Sequence, residues 1–339
     1  MKILITGING FVGSHIAKGF LDLHHDVVGT VRSADKGNAL LEQPAFRDAA
    51  QAKSLSYIVV EDLPTYNFSP VLRDVDAIAH TASPCHYEGK SFDEYCTRNL
   101  LLAAKESPQV EAVAFTSSIG AIMDSQTPAL EQSGKIYTEA DWFSVSHEEA
   151  TSDTRELFWY SASKSLAEEE AWKIQKLRGK QWSLATICPP SIYGPVIHTS
   201  NPKDMNMTSR RLYEIFSGQT DEIMKTKFPA FVDVRDVAEA HIQAILQKAN
   251  DRFIVSAGLY DHQMVADFLH KAFHEESKPV PRGQPGIHVQ SDQVYYLDSS
   301  HVKATLGLSL RSFEETFRDT FLNCLEIHKL QPHVNPEKV

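Results

Sequence analysis

Basic charge, cysteine and long apolar runs are what this 339-residue chain has little of. Lysine and arginine number 33 against 44 aspartates and glutamates, a formal net charge of −11. The basic residues are scattered along the chain, whereas a surface for a phosphate backbone needs them clustered. No nucleic-acid partner is expected. Apolar runs stop at strand length, short of the ~20 residues a membrane helix requires, so no membrane partner is expected either. Four cysteines, Cys85, Cys96, Cys188 and Cys324, stand at unrelated spacings. That reads as free thiols in a reducing compartment, not a disulfide framework. Repeats and low-complexity tracts are also missing, which excludes a solenoid or a long disordered arm. The opening "MKILITG" runs straight from a strand into a glycine turn, so we expect no leader and a cytoplasmic protein.

What is present is an alternation of short apolar runs and helical patterns. "KILIT" (2–6), "DVVGTV" (26–31), "LSYIVV" (55–60), "DAIAHTA" (76–82), "EAVAFTS" (111–117) and "WSLATIC" (182–188) are apolar nearly throughout, as strands buried on both faces are. Amphipathic spacing predicts helices over 11–24, 36–50, 91–107 and 154–178, the last opened by a capping box of Asp153 and Glu156. Strand–helix alternation implies a parallel sheet covered on both faces. The fold class expected is α/β, a Rossmann-type doubly wound parallel sheet with a smaller, mainly C-terminal substrate lobe. "PPSIYGP" (189–195) should break the sixth strand. Beyond it the pattern predicts helices over 208–217, 233–249, 261–276 and 312–330, and strands at 228–232 and 252–256. The cofactor domain is expected over 1–187 with a return segment at 230–257. The substrate lobe then takes 188–229 and 258–339.

The turn "TGINGFVG" spaces Gly7, Gly10 and Gly13 by three, after a strand and at the start of a helix. Taken alone the spacing is an ordinary turn; in a βαβ context it is a dinucleotide fingerprint. Gly7 permits the turn, Gly10 lets a pyrophosphate approach the amides of Asn9, Phe11 and Val12, and Gly13 lets helix pack on strand. An NAD site would place an acidic residue at the end of the second strand. The chain instead reads "GTVRSADKG", where Arg32 and Lys36 suit a ribose 2′-phosphate. NADP(H) is therefore the expected cofactor.

Tyr160 and Lys164 in "WYSASKS" stand one helical turn apart. A solvated helix face could carry such a pair. An enzyme reducing a carbonyl, however, must protonate oxygen as hydride reaches carbon, and a free phenol of pKa about 10 does this poorly near neutrality. A neighbouring ammonium lowers that value. "FTSSIGA" (115–121) supplies hydroxyls at the end of the fifth strand, where ligands of open α/β sheets sit.

With T-G-x-x-G-x-x-G, Y-x-x-x-K, "TSS" and "PPSIYGP" together, the chain resembles the extended short-chain dehydrogenases/reductases. Within them it looks most like the dihydroflavonol-4-reductase group, especially the fungal NADPH-dependent carbonyl reductases of methylglyoxal type. "TVRSADK", "HTASP", "YSASKSLAE" and "FVDVRDVAEAH" carry that likeness, which is strong over about residues 1–250. The resemblance implies a Ser-Tyr-Lys site. Ser118 and Tyr160 would act on the carbonyl, Lys164 would also bind the nicotinamide ribose, and Ser117 would line the cofactor. Asp62 and Leu63 would flank the adenine, and His80, Thr81, Ala82 and Ser83 would run beneath the cofactor. Pro189 and Ser191 would meet the carboxamide end. Pro84, Cys85, Ile119 and Tyr193 would form the substrate pocket. Two residues depart from the group's pattern: Cys85 where a bulky apolar residue is usual, and Cys96 in place of a glycine.

Other features read more plainly. His270 and His274 share a helix face but lack a third ligand, so no metal is expected. "EEE" at 168–170 reads as a solvated face, and Phe313, Phe317 and Phe321 as a core stripe. The expected partner is a small-molecule carbonyl, bound by a monomer or homodimer. A nucleotide-sugar epimerase or dehydratase shares fold and triad, but dehydratases carry an acidic pair near the strand-five serine, where this chain has only Asp124. A non-catalytic NADP sensor would have lost the tyrosine or the lysine.

Overall fold

The computed structural model describes residues 1–82, 93–152, 155–177 and 182–331. In chain order β1 (Lys2–Thr6), α1 (Phe11–Asp22), β2 (Asp26–Val31), α2 (Ala34–Leu41), α3 (Arg47–Gln51), β3 (Leu55–Val59), β4 (Ala77–His80), α4 (Asp93–Glu106) and β5 (Ala112–Thr116) build the first half. The middle holds β6 (Ile136–Tyr137), α5 (His147–Ser152), α6 (Glu156–Gln175), β7 (Ser183–Cys188), β8 (Ser191–Tyr193) and α7 (Met207–Phe216). Then come β9 (Ala230–Asp233), α8 (Val234–Leu246), β10 (Asp251–Ile254), β11 (Gly258–Leu259), α9 (His262–Ala272), β12 (Tyr296–Leu297), α10 (Ser300–Leu306) and α11 (Phe313–Leu330).

Seven strands form one sheet in the order β10-β7-β5-β4-β1-β2-β3, every pair parallel. The strand order reverses between β1 and β4, the crevice where such sheets bind ligands. Successive residues of each strand serve opposite faces. Ile3, Val27, Ala77, Ala112 and Ala185 pack with α1 and α8, while Leu4, Val28, Ile78, Val113 and Leu184 pack with α4 and α6.

A second core gathers residues from β8, α7, β9, α9 and α11 around Phe231, Tyr260, Phe317 and Phe321. Phe313, Phe317 and Phe321 do form a core stripe there. β8, β9 and β11 make a small mixed sheet beside it.

Some element boundaries differ from expectation. The predicted helix over 36–50 is two helices, α2 and α3, because Pro44 has no amide to donate and cannot continue the first. The chain beyond Cys188 does not simply break: Ser191–Tyr193 pairs in parallel with β9 and starts the second sheet. α6 starts at Glu156 with Arg155 at its N-cap and no side-chain cap; Asp153, half of the expected capping box, lies outside the described residues. α9 stops at Ala272, short of residue 276.

Candidate active site

The glycine turn at the end of β1 has the geometry a phosphate needs. Gly7 sits at φ +67°, where a side chain is strained. Its amide donates to Thr30 Oγ1 at 3.0 Å, and Gly10 N donates to Gly7 O at 2.9 Å. A Cβ on Gly13 would stand 2.6 Å from Gly7 O and 2.9 Å from Thr81 Oγ1, so only glycine lets α1 come this close. Gly10 caps α1 without a side-chain bond, and no acidic residue stands in the first turn. The first-turn amides at Phe11 and Val12 therefore point to an uncovered, electropositive helix end. Asn9 is half-buried beside them. The Phe11 ring turns away into the second core, edge-on to His15.

Thr6 ties this turn to β4. Its Oγ1 accepts from the amides of Thr81 and Ala82, both at 3.0 Å, so its own proton goes to His80 Nδ1 at 2.7 Å. Thr81 Oγ1 returns a bond to Thr6 O. Thr81 and Ala82 thus border the glycine turn, with Ala82 Cα 3.2 Å from where a Cβ on Gly7 would be. The His80 ring instead lies in the core, stacked on Phe115. Ser83, Pro84 and Cys85 lie outside the described residues.

Beyond β2, Arg32 and Lys36 are both exposed, and Ser33 caps α2 by accepting from Lys36 N. Two cations thus stand at the carboxyl edge of the strand next to the glycine turn. Asp62 and Leu63 follow β3 on the same edge. Asp62 Oδ2 accepts from Thr65 Oγ1, and Leu63 O from Asn99 Nδ2 at 2.7 Å.

The end of β5 separates the two serines. Ser117, expected to line the cofactor, is 2% exposed, and its hydroxyl donates to Glu168 Oε2 at 2.5 Å. Ser118 caps a short 3₁₀ turn, accepting from Gly120 N at 3.0 Å. A hydroxyl has one proton and two lone pairs, so this bond leaves the Ser118 proton available. A Cβ on Gly120 would lie 3.5 Å from Ser118 Oγ and 3.4 Å from Tyr160 Cε1. Serine and phenol therefore flank the same small space. Tyr160 is 37% exposed, whereas every residue from Ser161 to Glu168 is buried, Lys164 at 4% included.

Around this space the cofactor-side expectations divide. Pro189 is buried, with its carbonyl accepting from Ile119 N at 3.1 Å, and Ser191 is half-buried on β8. Ile119 is 7% exposed and packs into a core with Ile122 and Cys188. Tyr193, expected in the substrate pocket, lies in the second core. It is 2% exposed, its hydroxyl meets Tyr260 at 2.6 Å, and it packs on Phe317 in the second core. Burial and then the Tyr260 phenol push its pKa well up. A cavity of about 640 Å³ between α1, α8 and residues 306–311 contains none of these residues.

The acidic run supplies what sequence reasoning missed. Far from a solvated face, Glu168 is 0% and Glu170 6% exposed, and Glu170 pairs with Arg98. Glu168 accepts from Ser117, from Thr186 Oγ1 at 2.7 Å and from Arg252 Nε at 2.6 Å. The available signal was spacing: Tyr160, Lys164 and Glu168 recur every four residues on one helix face. Asp124 is held in a turn by Thr127 Oγ1 and by the Gln126 and Thr127 amides; burial opposes its charge, but these bonds hold its pKa below the usual carboxylate range.

The pattern of the NAD dependent epimerase/dehydratase family matches residues 3–256. The chain belongs to that family. Among curated relatives it is 31% identical to a ketoreductase of Aspergillus niger, over 96% of this chain and 98% of that one. It is 26% identical to the NADPH-dependent methylglyoxal reductase of Saccharomyces cerevisiae, over 94% and 97%. The solved structure of yeast methylglyoxal/isovaleraldehyde reductase complexed with NADPH superposes with a TM-score of 0.84, at 26% identity, covering 97% of this chain and 99% of that one. The UDP-glucuronic acid 4-epimerase of Bacillus cereus, at 17% identity and TM-score 0.72, shares the fold.

Proposed function

We propose that this family member is an NADPH-dependent carbonyl reductase that converts an aldehyde or ketone to an alcohol, with Ser118, Tyr160 and Lys164 as its catalytic residues. The observation that carries the reading is the pairing of the Ser118 hydroxyl and the Tyr160 ring across Gly120, with Lys164 buried one turn along the same helix. The uncovered helix end after Gly10 and the cations Arg32 and Lys36 fit a pyrophosphate and a 2′-phosphate. Relatives named as NADPH-dependent reductases and a ketoreductase support the same class. Bound NADPH would supply the hydride.

The chain's own residues do the rest. Ser118 donates to the substrate oxygen and fixes it beside the phenol as negative charge develops there. Tyr160 gives that oxygen a proton. Lys164 makes the departure of this proton easier by stabilising the phenolate. Its burial strengthens the effect, since a charge acts further where water is excluded. Asp124, the acid that follows the strand-five serines in sequence, is committed to its turn, which disfavours dehydratase chemistry.

The test is NADPH consumption over a panel of aldehydes, ketones and diketones, methylglyoxal included, by wild type and Tyr160→Phe. Proton transfer of this kind is typically worth ~10²–10⁴-fold, so the variant should lose nearly all turnover while binding NADPH normally. A variant keeping more than about a tenth of wild-type turnover, with chemistry rate-limiting, would refute Tyr160 as the donor.

A further inference from the structure

Arg252 on β10 is a buried cation held by several partners at once. It is 5% exposed, and its guanidinium lies over the Trp142 ring, 3.5 Å from the centroid. Nε donates to Glu168 Oε1 at 2.6 Å and Nη2 to Oε2 at 3.3 Å. Nη1 reaches the carbonyls of Glu139 at 2.8 Å and Asp141 at 2.6 Å, and Nη2 reaches Ala121 O at 3.2 Å. A buried pair of this kind gives no guaranteed gain in stability, since desolvation offsets most of the attraction. What it does give is geometry, because a planar fork and a carboxylate fix each other's orientation.

That geometry brackets one residue. Glu168 holds the side chain of Ser117 immediately before Ser118, and Arg252 holds the carbonyl of Ala121 three residues after it. Between these two anchors the chain makes the 3₁₀ turn Ile119–Ala121, whose cap is Ser118. Glu168 also stands two helical turns from Tyr160, so one carboxylate references both the serine turn and the tyrosine helix. Thr186 Oγ1 and Cys188 Sγ, at 2.7 and 3.7 Å, lock the same carboxylate to β7.

We infer that Glu168 and Arg252 form a buried positioning pair that sets the distance between the Ser118 hydroxyl and the Tyr160 phenol. The inference rests on the reductase reading above. Neither residue touches substrate; both act through the turn they hold. Small misplacements of reacting groups, ~1 Å, lower rates by as much as ~10²-fold.

The experiment compares kcat, KM for NADPH and Tm in Glu168→Gln, Ser117→Ala and Glu170→Gln against wild type. Glu170→Gln removes another buried carboxylate from the same helix, on the side facing Arg98, and serves as the structural control. Glu168→Gln is expected to lower kcat about tenfold to a hundredfold with KM for NADPH within about twofold. Ser117→Ala keeps the ion pair and cuts only its link to the turn; it should lower kcat about threefold to tenfold, again with KM for NADPH unchanged. Glu170→Gln should lower Tm and leave kcat within about twofold. If Glu168→Gln does not fold, Ser117→Ala decides. The inference is overturned if either of the first two keeps wild-type kcat, or if Ser117→Ala raises KM for NADPH instead. It is equally overturned if Glu170→Gln loses kcat as Glu168→Gln does. A wild type that reduces no carbonyl overturns the reductase reading first, and this inference with it.

Discussion

At the scale of single residues, Arg32 is the sharpest test of cofactor choice. It stands exposed directly after β2, and a charge-assisted pair with a 2′-phosphate there should contribute about 1.5–3 kcal/mol. NADPH should then be preferred over NADH by roughly tenfold to a hundredfold, and less at high salt, which screens exposed charges. Arg32→Ala should remove most of that preference by weakening NADPH alone, as kcat/KM for both cofactors at one ionic strength will show. Equal use of both cofactors by wild type would mean that the basic turn is only a solvated loop. The two serines give a second comparison. Ser118→Ala should lose more turnover than Ser117→Ala, since an oxyanion donor is worth roughly 3 kcal/mol; the reverse order would exchange their roles. Motif spacing singled out Arg32, Tyr160, Lys164 and the serine pair as candidates, because local sequence determines where they fall on strand ends and helix turns. It gave no such access to Glu168. Three consecutive glutamates look like surface, and the residues that bond Glu168 come from β7, β10 and the turn after β5, up to 84 positions away.

Elements tell a similar story of local rules that hold and distant pairings that do not show. Every strand of the main sheet was legible, because burial on both faces leaves the inner strands an apolar run that needs no partner to be recognised, and the edge strand β3 keeps enough of it. The two-residue strands β6, β11 and β12 were not, since two residues have no period and exist only through their partners. α10, ended by Gly307 at φ +71°, spans seven residues and was missed for the same want of length. The contact of α1 with the first turn is the element-level feature most open to test. Gly13→Ala would place a methyl 2.6 Å from a backbone oxygen that cannot swing aside. Overpacking of this kind is worth about 1–3 kcal/mol. We expect a lower Tm together with an NADPH Kd raised about tenfold or more, because the same shift moves the phosphate-facing amides. An alanine variant that binds NADPH as wild type does would show that the turn is looser than it looks.

For the molecule as a whole, acid should be the vulnerable side. His15, His198 and His241 are buried, and burial lowers each pKa to about 4 from an ordinary 6.5. The bonds of His241 are those of a neutral ring: it donates from Nδ1 to Val237 O and accepts at Nε2 from Thr116. Between pH 6.5 and 4 the unfolded chain therefore takes up protons that the folded one refuses. Stability from the neutral rings is complete above about pH 6.5 and is lost as pH falls toward 4. A Tm that is level above about pH 7 and drops steeply below 6 is the expected curve; a Tm unchanged down to about pH 4.5 would contradict it. Chain order adds a temporal side to the Glu168–Arg252 pair. During synthesis the ribosome delivers Glu168 long before Arg252, the residue that neutralises it. Until β10 emerges, Glu168 has the hydroxyls of Ser117 and Thr186 but no cation, so docking α6 on the sheet means burying an unneutralised carboxylate or protonating it. Both courses are costly, so the helix bearing the tyrosine should dock late, and a chain cut off before residue 252 should be cleaved by proteases faster than the full chain.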